Sequence, residues 1–546
     1  MLLIECSNIK KYFGDRLVIN IKDLKVYSED RIGIVGVNGA GKSTLLNILS
    51  EKVVPDEGSV KINGEYSYIS QLEQCHRKHI TKEIASRFGI ERVWQDHMSG
   101  GEKTRFKLAQ GFIEKTELIL ADEPTSNLDL EGIGLIEKNF IEYKGALLII
   151  SHDREFLDKL CNKVIQIDMG EIKIYRGNYT EYTEQKKMEI KRAQFEFEEY
   201  REEKARLDQV ISDTKSKVKS IRNAPKRMGN SEARLHKMGG QKAKASLERA
   251  TKNIEARIEH LEVKEKPRII EGIKLDTLST EKLHSKIIIS GKNISKSFGP
   301  KAIFNNAEFN IYNGAKIALI GGNGSGKSTL IKMIIDHCKD ISIAKGAKVG
   351  YFSQEFDTLN EDKSIINNVM ENSIYNETFV RILLSRLLFK RDDIYKKVGV
   401  LSGGERVKVA FAAMFLRDIN LLILDEPTNY LDIYSLEAVE ESLKQYDRTL
   451  LFVSHDRRFV KSIADTIMTI ENKKIVMFNG TYEEYIKNKD KINNKMVDKE
   501  GERIIVLENR LSEVLGRLSM PSKKDDVKAL DEEYTEILKE LRYLKK

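Results

Sequence analysis

Gly36-Val37-Asn38-Gly39-Ala40-Gly41-Lys42-Ser43-Thr44 stands in the first half of the chain. A near copy, Gly321-Gly322-Asn323-Gly324-Ser325-Gly326-Lys327-Ser328-Thr329, stands in the second. Both fit G-x-x-x-x-G-K-[ST], the pattern of a phosphate-binding loop. The glycines let backbone N–H groups turn inward and form an anion nest. The lysine adds a point charge for the terminal phosphates, and the serine hydroxyl suits Mg²⁺. Each loop follows an apolar strand pattern, Arg31 to Val35 and Lys316 to Ile320, and opens a helix whose N-terminus favours a bound phosphate. Two matches in strand–loop–helix context leave chance no room.

The 546 residues suffice for two to four domains. Charged residues make up 32% of the chain and there are only seven prolines, a balance that favours long exposed helices over proline-rich linkers. The net charge of +8 admits a polyanionic partner. The four cysteines, Cys6, Cys75, Cys161 and Cys338, are scattered, which signals neither zinc nor an iron–sulfur cluster and reads as reduced, buried thiols. The N-terminal stretch Met1 to Cys6 does not read as a signal peptide. No run reaches the roughly 20 apolar residues of a membrane span. The expectation is a cytoplasmic protein.

Further groups follow the first loop in a fixed order. Tyr68-Ile69-Ser70-Gln71 reads as a strand that delivers a glutamine. Ser99-Gly100-Gly101-Glu102 opens a helix and makes a second anion-binding N-terminus. The apolar strand Leu118-Ile119-Leu120-Ala121 ends in Asp122-Glu123, one carboxylate for Mg²⁺ and one for the attacking water. Asn127-Leu128-Asp129 follows in a turn, and the strand from Ala146 to Ile150 leads to His152, well placed to sense a γ-phosphate. Upstream, Phe13 could stack on a base or pack at a strand edge. In this order the set resembles an ABC-type ATPase domain, with Ser-Gly-Gly-Glu the most discriminating element. The resemblance implies ATP and Mg²⁺ as cofactors, Phe13 against adenine, and Glu123 as the catalytic carboxylate, with His152 beside it. It makes Ser43, Gln71 and Asp122 the metal-facing groups.

The second half repeats the set as Phe298, Lys327, Gln354, Ser402-Gly403-Gly404-Glu405, Asp425-Glu426 and His455. Its metal-facing groups are Ser328, Gln354 and Asp425, and its catalytic pair is Glu426 and His455. Glu123 and Glu426 lie 303 positions apart, as do Ser99 and Ser402, whereas Gln71 and Gln354 lie 283 apart. The first copy therefore lacks 303 − 283 = 20 residues between glutamine and signature, within the helical subdomain. In the family two such domains form an intramolecular head-to-tail sandwich. Lys42 would then work with Ser402 and Gly404, and Lys327 with Ser99 and Gly101, in a monomer with two competent sites.

The composition shifts to Glu, Lys, Arg, Ala and Gln between about Tyr182 and Lys266. Tyr182 to Ser212 and Ala243 to Glu262 read as charged helices of an antiparallel hairpin whose turn lies near Pro225 and Gly229. From Thr214 to Lys244 ten basic residues face one acid, a net +9. An ordinary charge run is solvated surface; a one-signed run held at a hairpin tip suits a phosphate-lined channel. After residue 487 two more helical stretches are expected. Leu507, Leu511 and Leu515 recur at helical spacing, with Ile537, Leu541 and Leu544 to face them.

The fold expected is α/β: two tandem P-loop ABC ATPase domains (1–181 and 286–487), a long helical hairpin linker (182–268, basic tip near 214–244) and a C-terminal helical extension (488–546). This arrangement resembles the ABC-F family of ribosome-associated ATPases. The short interval between Gln71 and Ser99 departs from housekeeping members that carry an extra arm there, and is more like the antibiotic-resistance branch. The resemblance implies a 70S ribosome as partner, at the tRNA exit site near rRNA and peptidyl tRNA. It implies tip contacts through Lys226, Arg227, Met228, Arg234, Leu235 and Lys237, and displacement of lincosamides, streptogramins A and pleuromutilins. The alternatives are an ABC-F translation factor that acts without a drug and the ATPase subunit of a transporter, the latter disfavoured by the absent spans.

Overall fold

A computed structural model describes all residues except 71–78, 96, 114–115, 221–229, 265–282, 353–358, 390–391, 430, 492–506, 508, 512–513, 516–517, 519–526 and 545–546. The chain forms two compact units. One comprises Met1–Val93, Phe106–Thr125 and Glu137–Ile273; the other comprises Trp94–Arg105, Ser126–Ile136 and Lys274–Lys546. The units do not follow the sequence halves, because two short segments of the first half pack with the second.

Each unit is built on a six-stranded sheet. In the first, the order is Tyr66–Ile69, Leu118–Asp122, Ala146–Ile150, Arg31–Val35, Lys163–Asp168, Glu171–Arg176. All neighbours are parallel except the last pair. Leu118–Asp122 and Ala146–Ile150 are buried at every position. Strands covered on both faces need unbroken apolar runs, and that is what these two stretches supply. The second sheet repeats the order with Val349–Phe352, Leu421–Asp425, Thr449–Val453, Lys316–Ile320, Thr466–Glu471 and Lys474–Asn479. A three-stranded antiparallel sheet accompanies each: Arg16–Tyr27, Leu2–Phe13, Glu57–Ile62 in one and Lys301–Tyr312, Ile287–Phe298, Ile341–Ile343 in the other.

The 20-residue deficit has a structural counterpart. Between sheet and signature, among the described residues, the second half carries helices Ile365–Met370 and Glu377–Arg386 and two 3₁₀ turns, and the first carries helix Lys82–Arg87. The linker helices are longer than the sequence suggests. Tyr179–Ser220 runs for 42 residues without Gly or Pro, and Asn230–Glu259 for 30. Most of the basic stretch, residues 214–220 and 230–244, is therefore helical, and Gly239 and Gly240 lie inside a helix despite costing about 1 kcal/mol each relative to alanine. Leu207, Thr214 and Thr251 are buried, and Lys215–Glu255 (2.9 Å) and Arg257–Glu203 (3.3 Å) bridge the two helices. Among the described residues no helix is long and apolar enough to cross a membrane.

The C-terminal extension corrects one expectation. Val514, Leu530, Ile537 and Leu541 form its buried core, with Leu507, Leu511, Leu518 and Tyr534 packed around them. Leu515 is exposed; the helix presents its neighbour Val514 instead. The side chain of Leu544 lies outside the described residues. Cys6 and Cys161 are buried as expected, whereas Cys338 is only half-buried; Cys75 lies outside the described residues.

One buried ion pair anchors the second unit. Lys408 Nζ donates to Asp432 Oδ2 at 2.8 Å, both almost inaccessible, while Asp432 Oδ1 accepts from Ser435 N and caps helix Ile433–Gln445. Burial alone would raise the Asp432 carboxyl, but Lys408 and Ser435 hold it below the usual aspartate range. Lys408→Met should leave that carboxylate buried without its cation and cost about 3–5 kcal/mol. Urea unfolding at pH 7 should show the shift; an unmoved midpoint would mean the pair contributes nothing.

Candidate active site

The strand order decides which loops meet. Arg31–Val35 lies beside Ala146–Ile150, which lies beside Leu118–Asp122, all parallel. Their C-terminal ends therefore bring Lys42, Asp122-Glu123 and His152 together, at the edge where open α/β sheets bind ligands. Gly41 caps helix Lys42–Leu49 with φ 101°, and Gly326 caps Lys327–Ile335 with φ 110°. That left-handed geometry excludes side chains at this turn. The Lys42 ammonium donates to the carbonyls of Gly36 (2.9 Å) and Val37 (3.2 Å). Lys327 does the same to Gly321 (2.7 Å) and Gly322 (3.1 Å). Both lysines are buried, and burial pulls the Lys327 ammonium below its ordinary pKa.

Ser43 hydrogen-bonds Asp122 and Ser328 hydrogen-bonds Asp425, although burial still raises both carboxyls. Hydroxyl and carboxylate together offer two oxygen ligands on one side. Mg²⁺ bound there would draw its remaining ligands from phosphate and water, as this ion prefers.

Glu123 and Glu426 both sit at positive φ, 50° and 51°. A glutamate in the left-handed region is strained backbone, and the strain recurs in both copies. His152 Nε2 lies 3.4 Å from Glu123 Oε1, and His455 Nε2 lies 3.1 Å from Glu426 Oε1. Burial is the main cause that pushes Glu123 up to about 8 and Glu426 up to about 7. Burial also pushes His455 down to about 4. At neutral pH the imidazole is neutral, so the His455–Glu426 approach is not a salt bridge. Thr125–Ser151 and Thr428–Ser454 hydroxyl pairs, each 3.2 Å, tie the carboxylate and histidine loops together.

Ser99 and Ser402 cap the signature helices through boxes with Glu102 and Glu405. The free helix N–H groups behind Gly100-Gly101 and Gly403-Gly404 remain available to an anion. In the second unit the first-half signature lies at the second phosphate loop. Asn323 N donates to Asp129 Oδ2 (2.9 Å), and Asn323 Nδ2 donates to Asn127 O (3.1 Å). A Cβ on Gly101 would stand 3.0 Å from both Asn127 O and Asn323 Nδ2.

Phe13 and Phe298 end their strands exposed. Lys11 lies 5.9 Å from the Phe13 ring centroid and Lys296 5.7 Å from that of Phe298. Gln71, Gln354, Lys226, Arg227 and Met228 lie outside the described residues. Arg234, Leu235 and Lys237 fall in helix Asn230–Glu259, with no described side chains. Two features escaped the sequence reading. One is the Asp129–Asn323 contact. The other is a cation at each phosphate loop: Arg16 Nη2 donates to Gly39 O (3.4 Å), and Lys301 Nζ would lie 4.0 Å from a Cβ on Gly324. Each cation pairs across its hairpin with the exposed aromatic, Arg16 with Phe13 and Lys301 with Phe298. The signal was visible only as a basic residue three positions after each phenylalanine.

Two phosphate loops, two serine–aspartate pairs and two strained glutamates define a tandem P-loop ATPase of the ABC type. An ABC transporter family model matches residues 19–126 and 304–429. The erythromycin resistance ATP-binding protein MsrA of Staphylococcus epidermidis is 33% identical over 470 residues, 85% of this chain and 96% of the relative. The ribosome protection protein VmlR of Bacillus subtilis is 30% identical over 560 residues, 99% of this chain and 98% of the relative. The chain belongs to the ABC-F family of ATPases: it hydrolyses ATP and uses Mg²⁺. An archaeal ribosome recycling factor, aABCE1, solved with the stalk protein aP1, shares the fold at TM-score 0.58 and 20% identity, over 87% of this chain and 90% of that one.

Gly101→Val would force a side chain into the 3.0 Å gap between Asn127 and Asn323. Steady-state ATPase should fall at least about tenfold, with fluorescent-nucleotide binding to the isolated protein little changed. Undiminished turnover would show that this contact has no part in hydrolysis.

Proposed function

We propose that this ATPase is a ribosome protection factor. The observation that carries the reading is the end-to-end match to VmlR, whose name states ribosome protection and whose alignment takes in 99% of this chain, linker included. In this reading ATP closes the two domains (1–181 and 286–487) and hydrolysis opens them. Glu123 and Glu426 orient and deprotonate the attacking water, with His152 and His455 holding them in place. Lys42 is completed by Ser402 and Gly404, and Lys327 by Ser99 and Gly101. Gln71 and Gln354 join Ser43, Asp122, Ser328 and Asp425 around Mg²⁺. Phe13 and Phe298 stack on adenine.

The protein binds at the tRNA exit site of the 70S ribosome. Its linker (182–268) reaches towards the peptidyl-transferase centre, with Lys226, Arg227, Met228, Arg234, Leu235 and Lys237 at the tip. The drugs displaced are lincosamides, streptogramins A and pleuromutilins. MsrA is named for erythromycin, which belongs to none of these classes, so the drug spectrum needs a direct test.

In vitro translation inhibited by lincomycin or a pleuromutilin, with erythromycin in parallel, supplies it. Purified protein plus ATP should restore synthesis, without any membrane across which drug could be pumped. ATP-dependent ribosome binding without rescue from any of the drugs would contradict the protection reading and leave a translation factor that acts on stalled ribosomes.

A further inference from the structure

The segments that carry the two antiparallel sheets are charged differently, although the strands themselves carry similar net charge, +3 in the first and +2 in the second. Residues 1–65 carry nine basic and nine acidic side chains, a net charge of zero. The equivalent 65 residues, 286–350, carry ten basic and three acidic side chains, a net +7. This excess is separate from that of the linker tip.

Pairing follows the counts. On the first sheet Lys10 meets Glu57 (2.8 Å), Lys11 meets Asp56 (2.9 Å) and Lys25 meets Glu5 (3.3 Å). On the second, Ser290 stands opposite Asn310 in the register where Glu5 faces Lys25. Lys286, Lys292, Lys296, Lys339 and Lys345 are all exposed, and among the described residues none has an acidic side chain within 4.0 Å.

Their placement follows strand Ile287–Phe298. Ala344 N bonds Ile288 O, which sets Lys345 near Lys286; Lys292 N bonds Asp340 O, which sets Lys339 near Lys292. Lys296 lies towards the hairpin. At about 3.3 Å per residue, the row extends roughly 30 Å. No large apolar side chain is exposed between Lys286 and Ser297 or between Asp336 and Gly350. Vesicle binding needs an apolar or acyl anchor besides basic charge; the sheet's exposed aromatics, Phe298 and Tyr312, stand only at its strand ends. A rigid row of ammonium groups suits a phosphodiester backbone, where each neutralised phosphate releases counterions.

We propose that the second antiparallel sheet is an RNA-binding surface, which grips the phosphate backbone of structured RNA through Lys286, Lys292, Lys339 and Lys345. The RNA would be ribosomal, a detail that rests on the ribosome-protection reading; the surface itself does not. It would act alongside the basic linker tip, so that two separate contacts add avidity.

The test uses the full-length protein with all four lysines changed to Gln, and a second variant with all four changed to Arg. Binding to a fluorescein-labelled RNA duplex, to purified ribosomes and to phosphatidylserine vesicles is measured across a salt series. The Gln variant should bind the duplex at least about tenfold more weakly near 0.15 M salt, with a salt slope shallower by about two or more. The Arg variant should bind like the wild type, and ATPase activity without ribosomes should be unchanged in both. Equal duplex affinity and slope for wild type and Gln variant would overturn the proposal. So would a loss confined to vesicles. If duplex binding falls as expected but the wild type ignores ribosomes, the RNA surface stands and the ribosome reading falls.

Discussion

Each half of this protein concentrates charge where water is scarce. Lys42, Lys327, Asp122, Asp425 and Glu426 are all buried at the ends of apolar strands. Burying an isolated charge is costly, and burying several is tolerable only when they compensate one another. Here the compensation is partial. The lysines turn back on carbonyls of their own loops, the glutamates are pushed towards protonation, and their backbones sit at positive φ. A triphosphate with Mg²⁺ is the group that completes this arrangement, because it brings anionic oxygens to the lysines and a cation to the carboxylates. Nucleotide binding and local electrostatic relief would then be one event, and in the proposed function that relief is what shifts the conformational equilibrium.

The duplication is faithful in chemistry and unequal in use. Asp432 and Asp129 occupy the same position in the repeat. Asp432 is buried against Lys408 and holds its own domain together. Asp129 spends one oxygen on Gly132 N and the other on Asn323 N at the second phosphate loop. Burial would raise its carboxyl, yet these two donors hold it low. One copy of the residue serves folding, and the other serves the neighbourhood of a nucleotide. The segments around the antiparallel sheets diverge in the same way, residues 1–65 with a net charge of zero and residues 286–350 with a net +7.

The phosphate loops, the carboxylate pairs and the repeat itself were legible in the sequence because their spacing is rigid: strand ends and helix starts tolerate few insertions. The 20-residue deficit was legible for the same reason, by subtraction. Other features depend on neighbours that sequence spacing does not encode. Helix ends from Ser212 to Ser220 extend past the reading because nothing in that stretch stops a helix. Leu515 and Val514 exchange roles because a one-residue rotation suffices to swap faces. The Asp129–Asn323 contact joins residues 194 positions apart. The linker charge was conspicuous as a run, whereas the lysines of the second sheet are dispersed and emerge only once strand pairing lines them up.

In the proposed function, hydrolysis at the two buried glutamates resets a state that ATP creates on the ribosome. The direct measurement is cosedimentation of ribosomes with a Glu123→Gln, Glu426→Gln double variant. Single-turnover hydrolysis should be slowed at least about 100-fold, the scale of a lost general base. With ATP, the variant should remain on ribosomes while wild type dissociates. A double variant that hydrolyses and releases like wild type would contradict the role given to these carboxylates.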